Sequence, residues 1–288
     1  MHPDDFEHGY ARVNGVRFHF VRAGHGERLV LLLHGFPEFW WSWRHQIGPL
    51  SERLTVVAPD LRGYNETEKP DWGYETDVLV HDVAGLIEAL GFRRACVAGH
   101  DWGGAIAWAL AITRPRRVER LIALNCPHPA VFADALRHSW RQRRRSWYMG
   151  FFLLPWLPEA ALHYRDHAFI ARRLSADTGG DPVFDAQGLR RYRQALARPG
   201  ALRAALAYYR AAGRQGTRGM YRGTGMRVEA PTLVLWGEED AYLGRELVAG
   251  TERFVPDLRV RTLPGCSHWV QQQCAPAVTA EMLSFLTE

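Results

Sequence analysis

The sequence predicts an α/β fold: a mostly parallel, doubly wound sheet with an inserted helical segment. Short apolar runs such as Leu29–Leu33 and Thr55–Pro59 are typical of strands buried on both faces, and segments with helical spacing separate them. Between residues 129 and 225 no buried-strand pattern occurs, and Arg-, Ala- and aromatic-rich helical segments take its place. We therefore expect a core domain of residues 1–128 and 226–288 and a helical cap of residues 129–225.

The predicted elements alternate along the chain. A hairpin turning at Asn14-Gly15 comes first, because Asn-Gly between alternating apolar positions favours a tight turn. Strand and helix signals then succeed one another, which implies parallel pairing. Strands are expected at 29–33, 55–59, 94–99, 121–124, 232–236 and 258–263, and helices at 41–53, 77–90, 102–113 and 277–286.

Composition and charge bear on whether the protein binds nucleic acid. The 288 residues are 47% hydrophobic, which is ample for a globular core, and carry a formal net charge of +5. A basic run on a helix is usually a solvated face and no nucleic-acid motif accompanies this one, so nucleic acid is not an expected partner. The run consists of Arg137, Arg141, Arg143, Arg144 and Arg145.

The sequence also bears on cellular location. Its first residues are acidic and polar where a signal peptide carries basic residues and an apolar run, and no stretch of about 18 apolar residues occurs. The four cysteines have no metal-ligand spacing and are too few for a disulfide scaffold, so a reducing interior suits them. We expect a cytoplasmic protein without a membrane span, and a homodimer is one open option for its assembly.

A nucleophile elbow is predicted where the strand at 94–99 meets the helix at 102–113. The connecting motif is Gly-His-Asp-Trp-Gly-Gly at residues 99–104, with Asp101 at its centre. Small flanking residues permit the sharp turn that exposes the central side chain. An attacking carboxylate forms an ester, which water can cleave, and the adjacent helix start favours its anion. The alternative role for Asp101 is that of a helix cap.

Two further residues complete a catalytic constellation. His268 follows the last predicted strand, and Asp240 follows the strand before it, which gives the chain order nucleophile, acid, base. His268 is expected to activate water, and Asp240 to orient and charge-stabilise it. The neighbouring carboxylates Glu238 and Glu239 remain alternatives for the acid.

The loop His-Gly-Phe-Pro-Glu at residues 34–38 is expected to face the elbow. The backbone N–H groups of Phe36 and Trp102 can together hold the oxyanion that forms when water attacks the ester. His34 is expected to brace this loop through a hydrogen bond rather than to take part in the reaction.

These motifs, together with Gly-Cys-Ser-His-Trp at residues 265–269, resemble those of the epoxide hydrolases of the α/β-hydrolase fold. The resemblance spans nearly the whole chain and implies hydrolysis of an epoxide to a vicinal diol without metal or organic cofactor. It also implies that Tyr148 and Tyr209, in the cap, donate hydrogen bonds to the epoxide oxygen. Tyr208 and Tyr221 are neighbours with which Tyr209 can be confused. An apolar pocket for a small epoxide is expected from Phe36, Pro37, Trp40, Trp102 and Trp269.

Two other functions compete with this one. Haloalkane dehalogenases are similar in the Asp nucleophile, the following Trp and the His–Asp pair, but often have Asn where this chain has Phe36 and need no tyrosine pair. A catalytically silent relative that only binds a small apolar ligand is the alternative from another class. Every expected catalytic group is present, which speaks against it.

Overall fold

A computed structural model describes residues 6–179, 182–215, 221 and 224–288. The strands of these residues form one eight-stranded sheet in the order β1-β2-β4-β3-β5-β6-β7-β8. Strands β1, β2 and β4 pair antiparallel, and every other neighbouring pair is parallel. The strands are β1 (Glu7–Val13), β2 (Val16–Ala23), β3 (Leu29–Leu33), β4 (Thr55–Pro59), β5 (Ala95–His100), β6 (Val118–Leu124), β7 (Thr232–Gly237) and β8 (Leu258–Leu263).

Helices cover both faces of this sheet. Along β3, Val30 and Leu32 share an apolar cluster with Ile47 and Met282, whereas Leu31 and Leu33 pack into the cluster on the opposite face. Alternate side chains of a strand point to opposite faces, so a continuous apolar run is what a two-sided sheet requires. The predicted fold class is confirmed. The helices of the core are α1 (Arg44–Ser51), α2 (Thr76–Ala89), α3 (Trp102–Thr113), α10 (Val270–Gln273) and α11 (Ala275–Thr287).

The chain between β6 and β7 is a helical insertion. Its described residues contain no strand, and they join the sheet region at both ends of the segment. The division into core and cap domains at residues 128/129 and 225/226 stays a prediction. The insertion contains α4 (Pro129–His138), α5 (Trp140–Arg145), α6 (Trp147–Phe152), α7 (Leu157–Asp177), α8 (Ala186–Ala197) and α9 (Ala201–Gln215).

The cysteines depart from the expectation of four reduced thiols. Cys266 and Cys274 form a disulfide that links the loop after β8 to the start of α11, while Cys96 and Cys126 are buried and free. The pairing joins residues eight positions apart, and no spacing rule singles out these two cysteines among the four. A cytoplasmic location stays a prediction. No helix in the described chain has the length and apolar character needed to cross a membrane.

Close backbone approach makes Gly103 a test of the packing between α3 and β3. A Cβ at Gly103 would collide with the carbonyl groups of Leu33 and His34, whereas a Cβ at Gly48, also within a helix, would meet nothing within 4 Å. We expect Gly103→Ala to lower the free energy of unfolding by about 1–3 kcal/mol. Urea unfolding measures this, and Gly48→Ala is the matched control, expected to be neutral or stabilising. Equal effects of the two substitutions would contradict the packing argument.

Candidate active site

Asp101 lies at the carboxyl edge of the sheet, between the end of β5 and the first residue of α3. Its backbone has φ 49° and ψ −118°, a conformation that residues other than glycine rarely adopt. The loop residue Gly35 passes directly over it, because a Cβ there would lie 2.7 Å from Asp101 Oδ1. The strained turn thus presents the carboxylate to the loop at residues 34–38.

The two carboxylate oxygens of Asp101 have different surroundings. Oδ1 accepts a hydrogen bond of 2.8 Å from the backbone N–H of Phe36, and Oδ2 lies 3.9 Å from Nε2 of His268. Among the described residues, Trp102 makes no backbone hydrogen bond to this carboxylate, although the sequence analysis pairs it with Phe36. One oxygen is therefore anchored, and the other faces the imidazole.

His268 is held from its other side by Asp240. The Nδ1 atom lies 2.7 Å from Asp240 Oδ2, and both side chains are buried. Asp240 Oδ1 also accepts the backbone N–H groups of Tyr242 and Leu243. The imidazole is thereby fixed with Nε2 directed to Asp101.

The alternative acids have other contacts. Glu238 is half-buried and accepts a hydrogen bond from Arg245, and Glu239 is exposed. Neither contacts His268 in the described chain. The geometry around the imidazole therefore favours Asp240 among the three neighbouring carboxylates.

Asn125 is a contributor that the sequence analysis missed. It follows β6, has φ 40°, and donates from Nδ2 to Asp240 Oδ2 at 2.6 Å, while its Oδ1 accepts the N–H of Gly237. It cannot act as an acid, but it fixes the acid next to it. A polar residue at the carboxyl end of a buried parallel strand is the signal that could have found it.

The neighbouring charges determine the protonation states of His268 and Asp240. Burial alone would lower the pKa of His268, but the charge of Asp240, the hydrogen bond to it and the charge of Asp101 raise that pKa to about 9. Burial would raise the pKa of Asp240, yet His268 and Asn125 hold it below its usual value. An imidazolium between two carboxylates is thus favoured at neutral pH.

A second buried carboxylate–imidazole pair supports the loop, and the sequence analysis did not find it. Glu38 Oε2 lies 2.7 Å from Nδ1 of His100 and also accepts the N–H of Gly35, while Gln271 and Gln272 donate to Oε1. Nε2 of His100 contacts the carbonyl oxygen of His268 at 2.9 Å. This network joins the loop of the anchored oxygen to the loop of the imidazole.

His34 lies within the same loop, packs edge-on against Tyr64 and makes its hydrogen bonds to backbone atoms. Its Nε2 accepts the N–H of Leu61, and its Nδ1 lies 2.9 Å from the carbonyl oxygen of Gly35. Burial lowers the pKa of His34, which favours the neutral ring. These contacts agree with the expected bracing role.

An apolar cavity of about 470 Å³ opens above the carboxylate, a size suited to a small molecule. Tyr148 of α6 and Tyr209 of α9 line it together with Asp101 and His268, and their ring centres are 6.2 Å apart. Burial and the charge of Asp101 raise the pKa of both tyrosines well above its usual value, so both hydroxyls stay protonated. The remaining lining residues are Phe36, Pro37, Trp147, Phe151, Phe152, Ala161, Leu162, Ile170, Arg173, Leu174, Tyr242 and Trp269.

Tyr208 is distinguished from Tyr209 by its contacts. The Tyr208 hydroxyl is buried and donates to the carbonyl oxygen of Arg62 at 2.8 Å, away from the cavity. Consecutive residues of a helix point about 100° apart, so only one of the two can face Asp101. Tyr221 is also buried and does not line the cavity.

Two of the five predicted pocket residues do not line the cavity. Trp40 is buried in the core, where its ring packs edge-on against Phe6 and Phe39. Trp102 is half-buried, and Tyr209 covers its ring at a centre distance of 5.1 Å. The positions of both side chains result from packing between segments that are distant in the sequence. A local motif does not predict such packing.

Comparisons with known proteins place the chain in a family. A family model described as the alpha/beta hydrolase fold matches residues 28–273. Human epoxide hydrolase 4 is 37% identical over 98% of this chain and 79% of that protein. The Bacillus subtilis protein named AB hydrolase superfamily protein YfhM is also 37% identical, over 96% of each chain.

A solved structure gives the same result. The Bacillus megaterium epoxide hydrolase, crystallised in complex with an inhibitor, superimposes with a TM-score of 0.89 at 33% identity and covers 97% of this chain and 100% of that one. The fold, the family match and these relatives agree. The chain therefore belongs to the α/β-hydrolase fold family and is an epoxide hydrolase within it.

Proposed function

We propose that the protein converts an epoxide to a vicinal diol in two steps, through an ester on Asp101. The observation that carries this proposal is the asymmetry of one carboxylate: Oδ1 is anchored by Phe36, and Oδ2 faces both the cavity and His268. The helical insertion acts as the cap that closes the cavity over it. The reaction requires neither metal nor organic cofactor, because protein side chains and water supply every bond-forming group.

In the first step, Oδ2 of Asp101 attacks an epoxide carbon. The carbon–oxygen bond of the ring breaks, and the electron pair moves to the ring oxygen. Tyr148 and Tyr209 donate hydrogen bonds to that oxygen, and one of them transfers its proton to the developing alkoxide. The apolar lining excludes water, which strengthens these contacts.

In the second step, His268 accepts a proton from water at Nε2 while the water oxygen attacks Cγ of Asp101. Negative charge then develops on Oδ1, where the Phe36 N–H already lies. The ester bond between Cγ and Oδ2 breaks, His268 returns the proton to the departing oxygen, and the diol leaves. The phenolate formed in the first step takes up, through solvent, the proton that His268 releases after alkylation. Esterification removes the charge of Asp101, which is one of the charges that raise the pKa of His268, so the imidazole becomes a base only after alkylation.

Two other functions are disfavoured by specific contacts. A departing halide needs N–H donors, but this chain has the apolar Phe36 at a position where haloalkane dehalogenases often have Asn, and two phenols line its cavity. A silent ligand-binding protein would have no need for the converging contacts of Asp101, His268 and Asp240. Release of bromide from bromoalkanes without diol formation from any epoxide would favour the dehalogenase.

The covalent step is tested by a single turnover of styrene oxide in isotopically labelled water. We expect the label in the Asp101 carboxylate and not in the first diol formed, because water attacks Cγ rather than the substrate carbon. Mass spectrometry of the active-site peptide measures it. His268→Gln is expected to accumulate the ester, and Asp101→Ala to form none. Label that enters the diol directly in one turnover would refute the mechanism.

The tyrosine assignment is tested by removing one hydroxyl at a time. Tyr148→Phe and Tyr209→Phe are each expected to slow ester formation about 10- to 100-fold, because one acid contact to the ring oxygen is lost. Stopped-flow fluorescence measures the rate. The matched control is Tyr208→Phe, which removes a buried hydrogen bond outside the cavity and should cost about 1 kcal/mol of stability without slowing the step. Unchanged rates in both test variants would contradict the assignment.

The pKa of His268 provides a third test. Nuclear magnetic resonance titration of the imidazole should give a pKa of about 9 in the resting protein and a lower value in Asp240→Asn and in Asp101→Ala. Because the folded pKa exceeds the ordinary 6.5, the stabilisation it provides is fully present below pH 6.5 and is lost as pH rises through 9. The free energy of unfolding, measured in urea, should fall over that pH range more in the wild-type protein than in Asp240→Asn. Coincident titrations in all three proteins would exclude this charge arrangement.

A further inference from the structure

The turn between α6 and α7 exposes an unusual amount of apolar surface. Five consecutive residues at positions 153–157, Leu-Leu-Pro-Trp-Leu, are exposed, and we call them the apolar turn. Trp156 is 83% exposed and Leu157 55%. Trp156 also has φ 54°, a positive value that residues with large side chains rarely adopt. Backbone strain that holds an indole in water rather than in the core points to a binding role.

The segment that leads into this turn is basic. Residues 135–158 contain no Asp or Glu, and Arg141, Arg143 and Arg144 of α5 are exposed. The acids that flank this segment along the chain are Asp134, which contacts His138, and Glu159, which pairs with Arg210. Arg145, the last residue of α5, lies 3.9 Å from Glu246. Helix α5 contacts α6, so the basic helix and the apolar turn belong to one connected part of the insertion.

Indole rings and arginines have a shared preference for the boundary between water and lipid. Tryptophan places an apolar ring at headgroup level, and arginine extends its charge to lipid phosphates. In the two helices that precede the apolar turn, Trp140 of α5 is 71% and Trp147 of α6 67% exposed. Three exposed tryptophans and the exposed arginines Arg141, Arg143 and Arg144 of α5 therefore match an anionic bilayer surface in both hydrophobicity and charge.

The position of Trp147 separates a lipid surface from a protein partner. Trp147 is exposed, and it also lines the cavity above Asp101 together with Phe151. A protein or a second copy seated on this face would cover the rim of the cavity, whereas a fluid lipid surface leaves the rim accessible to apolar molecules. We infer that the apolar turn and helix α5 dock the protein peripherally on the surface of an anionic lipid bilayer.

Vesicle sedimentation tests the hydrophobic part of this inference. The full chain is expected to bind vesicles of phosphatidylcholine with phosphatidylglycerol, and to bind them less as salt rises. The double variant Trp156→Ala/Leu157→Ala should weaken binding about tenfold or more, because both side chains leave the bilayer. Trp72→Ala is the matched control, since Trp72 is 66% exposed on the core domain, and it should bind as the wild-type protein does.

The electrostatic part is tested by charge reversal. Arg143→Glu/Arg144→Glu should abolish the preference for anionic over pure phosphatidylcholine vesicles. The control Arg93→Glu/Arg116→Glu makes the same change of net charge at exposed core positions and should retain that preference. Equal loss in both double variants would show a nonspecific charge effect and overturn the assignment to α5.

Brominated phosphatidylcholine identifies the inserted residue. Quenching of tryptophan fluorescence should decrease in Trp156→Ala and not in Trp72→Ala. Absence of vesicle binding by the wild-type protein would overturn the inference, and a dimer that dissociates in Trp156→Ala/Leu157→Ala would assign the face to a second copy. Circular dichroism checks the fold of each variant. Binding to lipid is measured without substrate, so its outcome is independent of the proposed function.

Discussion

The backbone conformation at Asp101 is the constraint on which the site depends. A positive φ at the end of β5 turns the carboxylate away from the strand and toward the loop at residues 34–38. That turn is possible only because Gly35 leaves space beside the side chain and Gly103 lets α3 approach β3. The surrounding sheet supplies the packing that keeps this strained residue in place. Loop, helix and strand therefore have to be considered together when any of them is altered.

The second constraint on the site is the set of charges that determines the pKa of His268. Three acidic groups, the buried Asp240 and Glu38 and the half-buried Asp101, raise the pKa of His268 against the effect of burial. Of these three groups, only Asp101 changes its charge during the proposed reaction, so only its contribution can act as a timing signal. Asp240 keeps its charge throughout because Asn125 and two backbone N–H groups satisfy it. A fixed acid and a variable nucleophile charge together account for one imidazole serving at the right step.

The features that could be predicted from the sequence are those that depend on local patterns of residues. Apolar runs located the buried strands β3, β4, β5, β6 and β7, and the motif at residues 99–104 located the turn at Asp101, because both depend on neighbouring residues. Contacts between segments that are distant in the chain could not be predicted from the sequence. The Glu38–His100 pair spans 62 positions and Asn125–Asp240 spans 115, so no spacing rule links them. Trp40 was expected in the pocket, but its ring packs against Phe6, His8 and Phe39 instead.

Helix α6 shows how the insertion can serve two surfaces at once. Tyr148 and Phe152, four residues apart, share the face that packs toward Tyr209 and the cavity. Trp147, one residue earlier, is largely exposed while still touching the rim, and the helix ends in the apolar turn. A rotation of about 100° per residue separates the two faces. An insertion that holds the phenols over Asp101 therefore necessarily presents Trp147 outward, which couples the geometry of the cavity to the surface that surrounds its entrance.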